Sequence, residues 1–155
     1  MYDFIGDIHG HADKLEELLT KLGYTLKGDA YAHPERKAFF VGDYIDRGPK
    51  IKKTLKIVRS MVENQHAIAL MGNHEYNALC FHAENKTGGH LRKHSIKNII
   101  QHYETLKQFQ NKQDEYDEYL DWFKTLPLFY ETSSFCFLSS MAESMAWEPL
   151  ATNRN

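Results

Sequence analysis

Residues 37–48 read KAFFVGDYIDRG: an apolar run, a glycine, then Asp43, Asp46 and Arg47 within five positions. The same design occurs twice more, in YDFIGDIHG (2–10) and AIALMGNHE (67–75). Each run has the length of a short buried strand, about 4–6 residues, and the glycine lets the backbone turn sharply into a polar loop. Between the first two lies HADKLEELLTKLGY (11–24), with Leu15, Leu18, Leu19 and Leu22 at helical spacing and Gly23 as a stop. Between the second and third lies KIKKTLKIVRSMVEN (50–64), with Ile51, Leu55, Val58 and Val62 on one face. Strand, helix, strand, helix, strand predicts an α/β fold with a β-α-β-α-β start and a parallel sheet. Crossover helices return the chain to the same starting edge, so all three polar clusters gather at the carboxyl edge, where ligands bind in open sheets.

The 155 residues suffice for one domain, and an apolar content of 42% indicates a globular chain. A formal net charge of −2 lacks the basic surplus of a nucleic-acid binder, so no nucleic-acid partner is expected. MYDFIGD opens without a basic flank or long apolar core, so no signal peptide is expected. No apolar run approaches the roughly 20 residues that span a bilayer, which predicts no membrane association and a cytoplasmic location. Cys80 and Cys136 form no CxxC pair and read as small buried hydrophobes.

From about 75 to 126 the chain predicts a helical middle segment. Ile96, Ile99, Ile100, Tyr103, Leu106 and Phe109 follow one helical face, and Tyr116, Tyr119, Leu120 and Phe123 another. Both stripes read as core. NKTGGH (85–90) and NKQDE (111–115) read as loops, and Pro127 closes the last helix.

The clusters carry a coherent chemistry. Asp7 and His9, at i and i+2, share a face in an extended chain and make a two-toothed ligand for a borderline divalent metal. Asp43 offers a carboxylate able to bridge two cations, and Asn73 a neutral carbonyl oxygen beside His74 and Glu75. Singly, each is as ordinary as a turn-capping Asp or a solvated Asn-His pair. Three in this order on strand ends make a pattern.

GDIHG, GDYIDRGP and GNHE resemble the three opening signatures of the calcineurin-like metallophosphoesterases. Within them the chain is similar to the serine/threonine phosphoprotein phosphatase and diadenosine tetraphosphatase group, and Asp46 and Glu75 lean toward the phosphoprotein phosphatases. The resemblance, carried by the first 80 residues, implies the N-terminal part of a metallophosphoesterase α/β sandwich. It implies a hydrolase of phosphomonoesters acting on phosphorylated protein or a small phosphorylated substrate. It further implies that Asp7 and His9 hold a first metal, that Asp43 bridges to a second, and that Asn73 binds the second. Arg47 would grip phosphate oxygens. His74 would protonate the leaving alkoxide, with Asp46 supporting its charged form. Paired ions about 3.5–4 Å apart would turn a bridging water into hydroxide and neutralise the in-line transition state.

The chain also departs from the pattern. The family's second metal takes two later histidines, the first in a segment shaped like HGG, and no histidine follows His102 here. Residues 1–137 are therefore read as an incomplete calcineurin-like phosphoesterase domain, and 138–155 as an irregular tail. With permitted codons, LSSMAESM in that tail has a neighbouring frame reading Phe-Val-His-Gly-Gly-Ile-Asn, so a shifted frame or truncated gene is one hypothesis for it. Sequencing the coding DNA decides this; without a single-base change that restores an open frame, the hypothesis falls. The expectation is then one loosely held divalent ion (manganese, iron or zinc) or none, little turnover, and a homo-oligomer formed through an exposed sheet edge. A catalytically impaired fragment is the alternative to a working enzyme. A nuclease of the same superfamily is weaker, since 19 Lys and Arg against 21 Asp and Glu leave no basic groove. His90 and His94 in HLRKH have helical i,i+4 spacing but read as a solvent-facing basic segment, and His11 as a helix-start residue.

Overall fold

The computed structural model describes residues 1–132 and 136–139. In chain order the elements are β1 (Tyr2–Ile5), α1 (Ala12–Lys21), β2 (Thr25–Lys27), β3 (Ala30–Ala32), β4 (Lys37–Phe40), α2 (Ile51–Glu63) and β5 (Ala67–Ala69). Then follow α3 (Asn73–His82), α4 (Ile96–Gln108), α5 (Gln113–Thr125), β6 (Phe129–Glu131) and β7 (Cys136–Leu138). Strands β1, β4 and β5 form the expected parallel sheet, in the order β1-β4-β5. Its alternation is clear at Phe39 and Phe40, both fully buried on opposite faces. Phe40 joins Leu15, Leu19, Leu55 and Val58 of α1 and α2 in the main core. Phe39 meets Tyr130 and Phe137 of the β6-β7 hairpin at ring separations of 5.7 and 5.1 Å.

Helix α1 ends where expected. Gly23 takes φ 88°, its N–H bonds Thr20 O, and Tyr24 N–H bonds Leu19 O, which together satisfy two terminal carbonyls. Next comes a feature the periodicity did not predict, the antiparallel hairpin β2-β3, turned at Gly28-Asp29 with φ 64° at the glycine. Its first strand is exposed at all three positions, so no apolar alternation announces it.

Three expectations need correction. The stripe on α4 is core only at its C-terminal end, where Phe109 is buried and Leu106 packs against the core; Ile96, Ile100 and Tyr103 are 78%, 69% and 53% exposed, while His102 and Thr105 are buried. The inward face carries polar groups because it meets a buried carboxylate, described below. Cys80 is only half-buried and Cys136 is exposed. The boundary at 137 falls inside β7, and Ser139 beyond it is buried with its N–H on Leu128 O. The reading-frame hypothesis concerns residues that, from 140 onward, lie outside the described ones. Among the described residues β1 pairs only with β4, and Phe4 is half exposed at that edge. No helix among them is long and apolar enough to cross a membrane.

Candidate active site

Three loops leave the carboxyl ends of β1, β4 and β5 and are sewn together by backbone. Ile8 and His9 N–H groups both reach Asp43 O, at 3.1 and 2.9 Å, and Gly10 N–H reaches Tyr44 O at 2.8 Å. Such convergence requires glycine. A Cβ on Gly72 would lie 2.1 Å from Asp43 N, and one on Gly48 would lie 2.1 Å from His9 O. Any side chain at either position forces the loops apart.

Glu75 closes the assembly. Fully buried, it accepts from the N–H groups of Asp43 (2.9 Å), Gly72 (3.0 Å), Tyr44 (2.8 Å) and Ile45 (3.2 Å). Burial, with the Asp43 charge behind it, pushes its carboxyl up to about 7, and the backbone donors pull the other way. Asp43 in turn accepts from His74 N–H at 3.1 Å, at the start of α3, where a carboxylate satisfies an otherwise orphan donor.

The expected ligands fall as follows. His9 is buried and adopts φ 45°, so residues 7–9 are not extended; a turn, not the i,i+2 alternation, brings Asp7 Oδ2 to 3.8 Å from His9 Nε2. Asp7 remains about half exposed. His9 Nδ1 lies 2.8 Å from Ile45 O, which can only accept, so Nδ1 carries the proton and Nε2 a lone pair. That Nε2 is buried without a hydrogen-bond partner among the described residues. Ligand atoms of His9, Asp43 and His74 lie within 4.8 Å of one another, all three residues buried. A buried imidazole whose one nitrogen is fixed by a carbonyl and whose other is orphaned fits a divalent cation. Asn73 opens α3, partly buried, next to this group. Arg47 is exposed at φ 62°, with no carboxylate partner among the described residues.

Asp46 is buried behind His74, with Oδ2 2.6 Å from His74 Nδ1. Burial alone would raise its pKa, but donors from His102 and His74, helped by Thr105, hold it well below the usual carboxylate range. It therefore acts as an acceptor only and engages His74 through Nδ1, leaving Nε2 unclaimed by Asp46; the His74 ring stands edge-on to that of His9 at 4.6 Å. For His74, burial works against the proton, yet Asp46, Asp43 and Glu75 win and raise its pKa.

The sequence reading missed the far side of Asp46. His102 Nδ1 lies 2.7 Å from Asp46 Oδ1, and its Nε2 lies 2.7 Å from Tyr116 OH. Thr105 Oγ1 donates to the same Oδ1 at 2.6 Å and accepts from Asp46 N–H at 3.0 Å. The one linear signal is a His and a Thr three apart on a helix, which is common. His90 and His94 do stack, at 4.0 Å, but outside any helix, and His94 packs on Phe81 with Nε2 on the Phe81 carbonyl. His94 is exposed, in keeping with the solvent-facing reading, but the ring contacts lie outside that expectation.

Known proteins bear on this geometry. A relative from Oceanobacillus iheyensis, named bis(5'-nucleosyl)-tetraphosphatase PrpE (asymmetrical), is 40% identical over 111 residues, covering 70% of this chain and 43% of the relative. One of the same name from Bacillus cereus is 35% identical over 133 residues, covering 83% and 52%. The chain thus spans about half the length of these curated relatives. Among solved structures, a metallophosphoesterase from Sphaerobacter thermophilus aligns with a TM-score of 0.57 at 21% identity, covering 87% of this chain and 44% of the other. A protein serine/threonine phosphatase from Saccharomyces cerevisiae aligns at 0.53 and 19%, covering 83% and 33%. At such identities these two speak for the fold. The calcineurin-like phosphoesterase profile matches residues 2–141, nearly the whole chain, and with the three loop motifs converging as they do, this protein belongs to the calcineurin-like phosphoesterase family.

Proposed function

We propose that the three-loop site is that of a metal-dependent phosphoesterase with His74 as its proton donor. The observation that carries this is the orphaned, buried Nε2 of His9 beside Asp43 and His74. Asp7, His9 and Asp43 would hold a first divalent cation, and Asp43 with Asn73 would offer donors to a second. Oxygen and imidazole donors accept manganese, iron or zinc alike. Bound there, such an ion supplies a Lewis acid that polarises phosphoryl oxygen and acidifies water. The chain does the rest. Arg47, exposed and without a carboxylate partner among the described residues, is free to pair with phosphate oxygens through its planar fork. His74 gives its Nε2 proton to the departing oxygen, and Asp46 stabilises the charged ring before transfer. The names of the relatives at 40% and 35% identity favour a small nucleotide polyphosphate over a phosphoprotein, against the lean drawn from Asp46 and Glu75.

One observation favours a second reading, an impaired fragment holding a single ion weakly. Among the described residues the second cation would have only Asp43 and Asn73, and two donors leave most of its coordination to water. The experiment measures Mn²⁺ stoichiometry by titration calorimetry, together with hydrolysis of diadenosine tetraphosphate, p-nitrophenyl phosphate and a phosphopeptide. Two equivalents, with turnover abolished by Asp43→Asn, establish the enzyme. One equivalent or fewer without turnover establishes the impaired form. Asp43→Asn should weaken Mn²⁺ binding at least tenfold to a hundredfold, on the scale seen when a metal site's anchoring groups are lost. Unchanged affinity would remove Asp43 from the site.

A further inference from the structure

We infer that His102 is a positioning residue for the proton donor: through Nδ1–H it fixes the Asp46 carboxylate, and Asp46 fixes His74. The inference rests on the reading of His74 as proton donor. Its basis is the way α4 grips the loop that carries Asp46 and Arg47. Three α4 residues at i, i+3 and i+6 present one face to that loop. His102 and Thr105 both donate to Asp46 Oδ1, and Thr105 accepts from Asp46 N–H. Gln108 donates to Gly48 O at 3.0 Å and accepts from Ile51 N–H at 2.7 Å, capping α2 as well.

The grip holds a strained segment. Asp46 and Arg47 sit consecutively at φ 69° and 62°, a conformation that non-glycine residues keep only where neighbours over-determine it. Asp46 has two oxygens and divides them: Oδ2 to His74, Oδ1 to His102 and Thr105. An ionised carboxylate accepts from all three, so the two imidazoles are donors, and His102 Nε2 accepts from Tyr116 O–H. Tyr116 thereby sets the His102 tautomer, as His102 sets the rotamer of Asp46. With Oδ1 released, the carboxylate is free to rotate about its χ2, and the 2.6 Å bond that aims the His74 ring loses its fixed partner.

Two variants separate positioning from space-filling. Asn at 102 places an amide N–H near the position of Nδ1; Gln reaches past it to the position of Nε2. Proton NMR of the metal-free chain in water should show a low-field Nδ1–H signal for His74, with far-UV circular dichroism and urea midpoint as folding controls. We expect His102→Asn to keep that signal and His102→Gln to lose or broaden it. Retention in both variants, loss in both, or failure of both to fold overturns the assignment. Where the chain turns over, His102→Gln should lower kcat for phenyl phosphate on the order of tenfold to a hundredfold with KM unchanged. It should affect p-nitrophenyl phosphate, whose leaving group needs little protonation, far less; equal losses on both substrates overturn the assignment too. A chain with the expected NMR pattern and no hydrolysis refutes the enzyme and leaves the His102 assignment standing.

Discussion

The loop hub and the helix that backs it hold charge in opposite ways. In the hub, backbone does the holding: Glu75 takes four main-chain N–H groups, and the loops touch where Gly48 and Gly72 allow it. On α4, side chains do it: His102, Thr105 and Gln108 reach across to Asp46, Gly48 and Ile51. Backbone donors cannot be mutated away and need glycine and a carboxylate at fixed positions. Side-chain donors can be exchanged residue by residue. The hub is thus the less forgiving of the two.

The largest test of that contrast is Glu75→Gln. An amide offers one acceptor where the carboxylate offered two, and turns its N–H₂ toward two backbone donors. Leaving buried N–H groups unsatisfied should cost on the order of 3–5 kcal/mol of stability, read from urea unfolding. A loss below about 1 kcal/mol, the scale of a single ordinary hydrogen bond, would mean the hub is not held by this carboxylate.

The helical side has an acid-sensitive weakness of its own, at His82. Its Nε2 is buried without a partner among the described residues, and its ring packs beside His102 and Tyr116. Burial first, then the nearby His102, lower its pKa to about 4, with His94 and His90 adding to this and Asp117 opposing it. Between about 4 and 6.5 the unfolded chain carries a proton on this ring that the folded chain lacks, so stability rises with pH through that interval and is lost on acidification. The loss should be on the order of 2 kcal/mol, partial exposure included. His82→Phe should flatten the pH 6.5 to 4 slope of unfolding free energy; an unchanged slope would place the acid sensitivity elsewhere.

The same contrast explains what could be read in advance. The hub was legible because its requirements are local: a short apolar run, a glycine for close approach, and then the charged residue, three times over. The grouping of His9, Asp43, Asn73, His74 and Asp46 at one sheet edge follows from that pattern and the crossover helices. The clamp was not legible because its logic runs against periodicity. Helical spacing marks Ile96, Ile100 and Tyr103 as an inward stripe, and nothing within α4 says that a carboxylate fifty-six residues before His102 needs polar partners more than the core needs isoleucine. The β2-β3 hairpin escaped for another reason: its exposed first strand has no apolar alternation, leaving Gly28-Asp29 as the single cue.

If α4 is oriented by its polar inner face, its outer apolar residues contribute little to the fold of the chain. Ile100, 69% exposed, is the sharpest case. Ile100→Gln should change stability by no more than about 0.5 kcal/mol, as exposed positions do, since little apolar area leaves water there. It also replaces a β-branched residue with a better helix former. Thr105→Val, nearly the same volume on the inner face, removes both the donor to Asp46 Oδ1 and the acceptor for Asp46 N–H. The two variants sit five positions apart on one helix and should differ in urea midpoint despite the greater hydrophobicity gained by the second. Were Ile100→Gln the more damaging, the apolar stripe and not the clamp would set the register of α4.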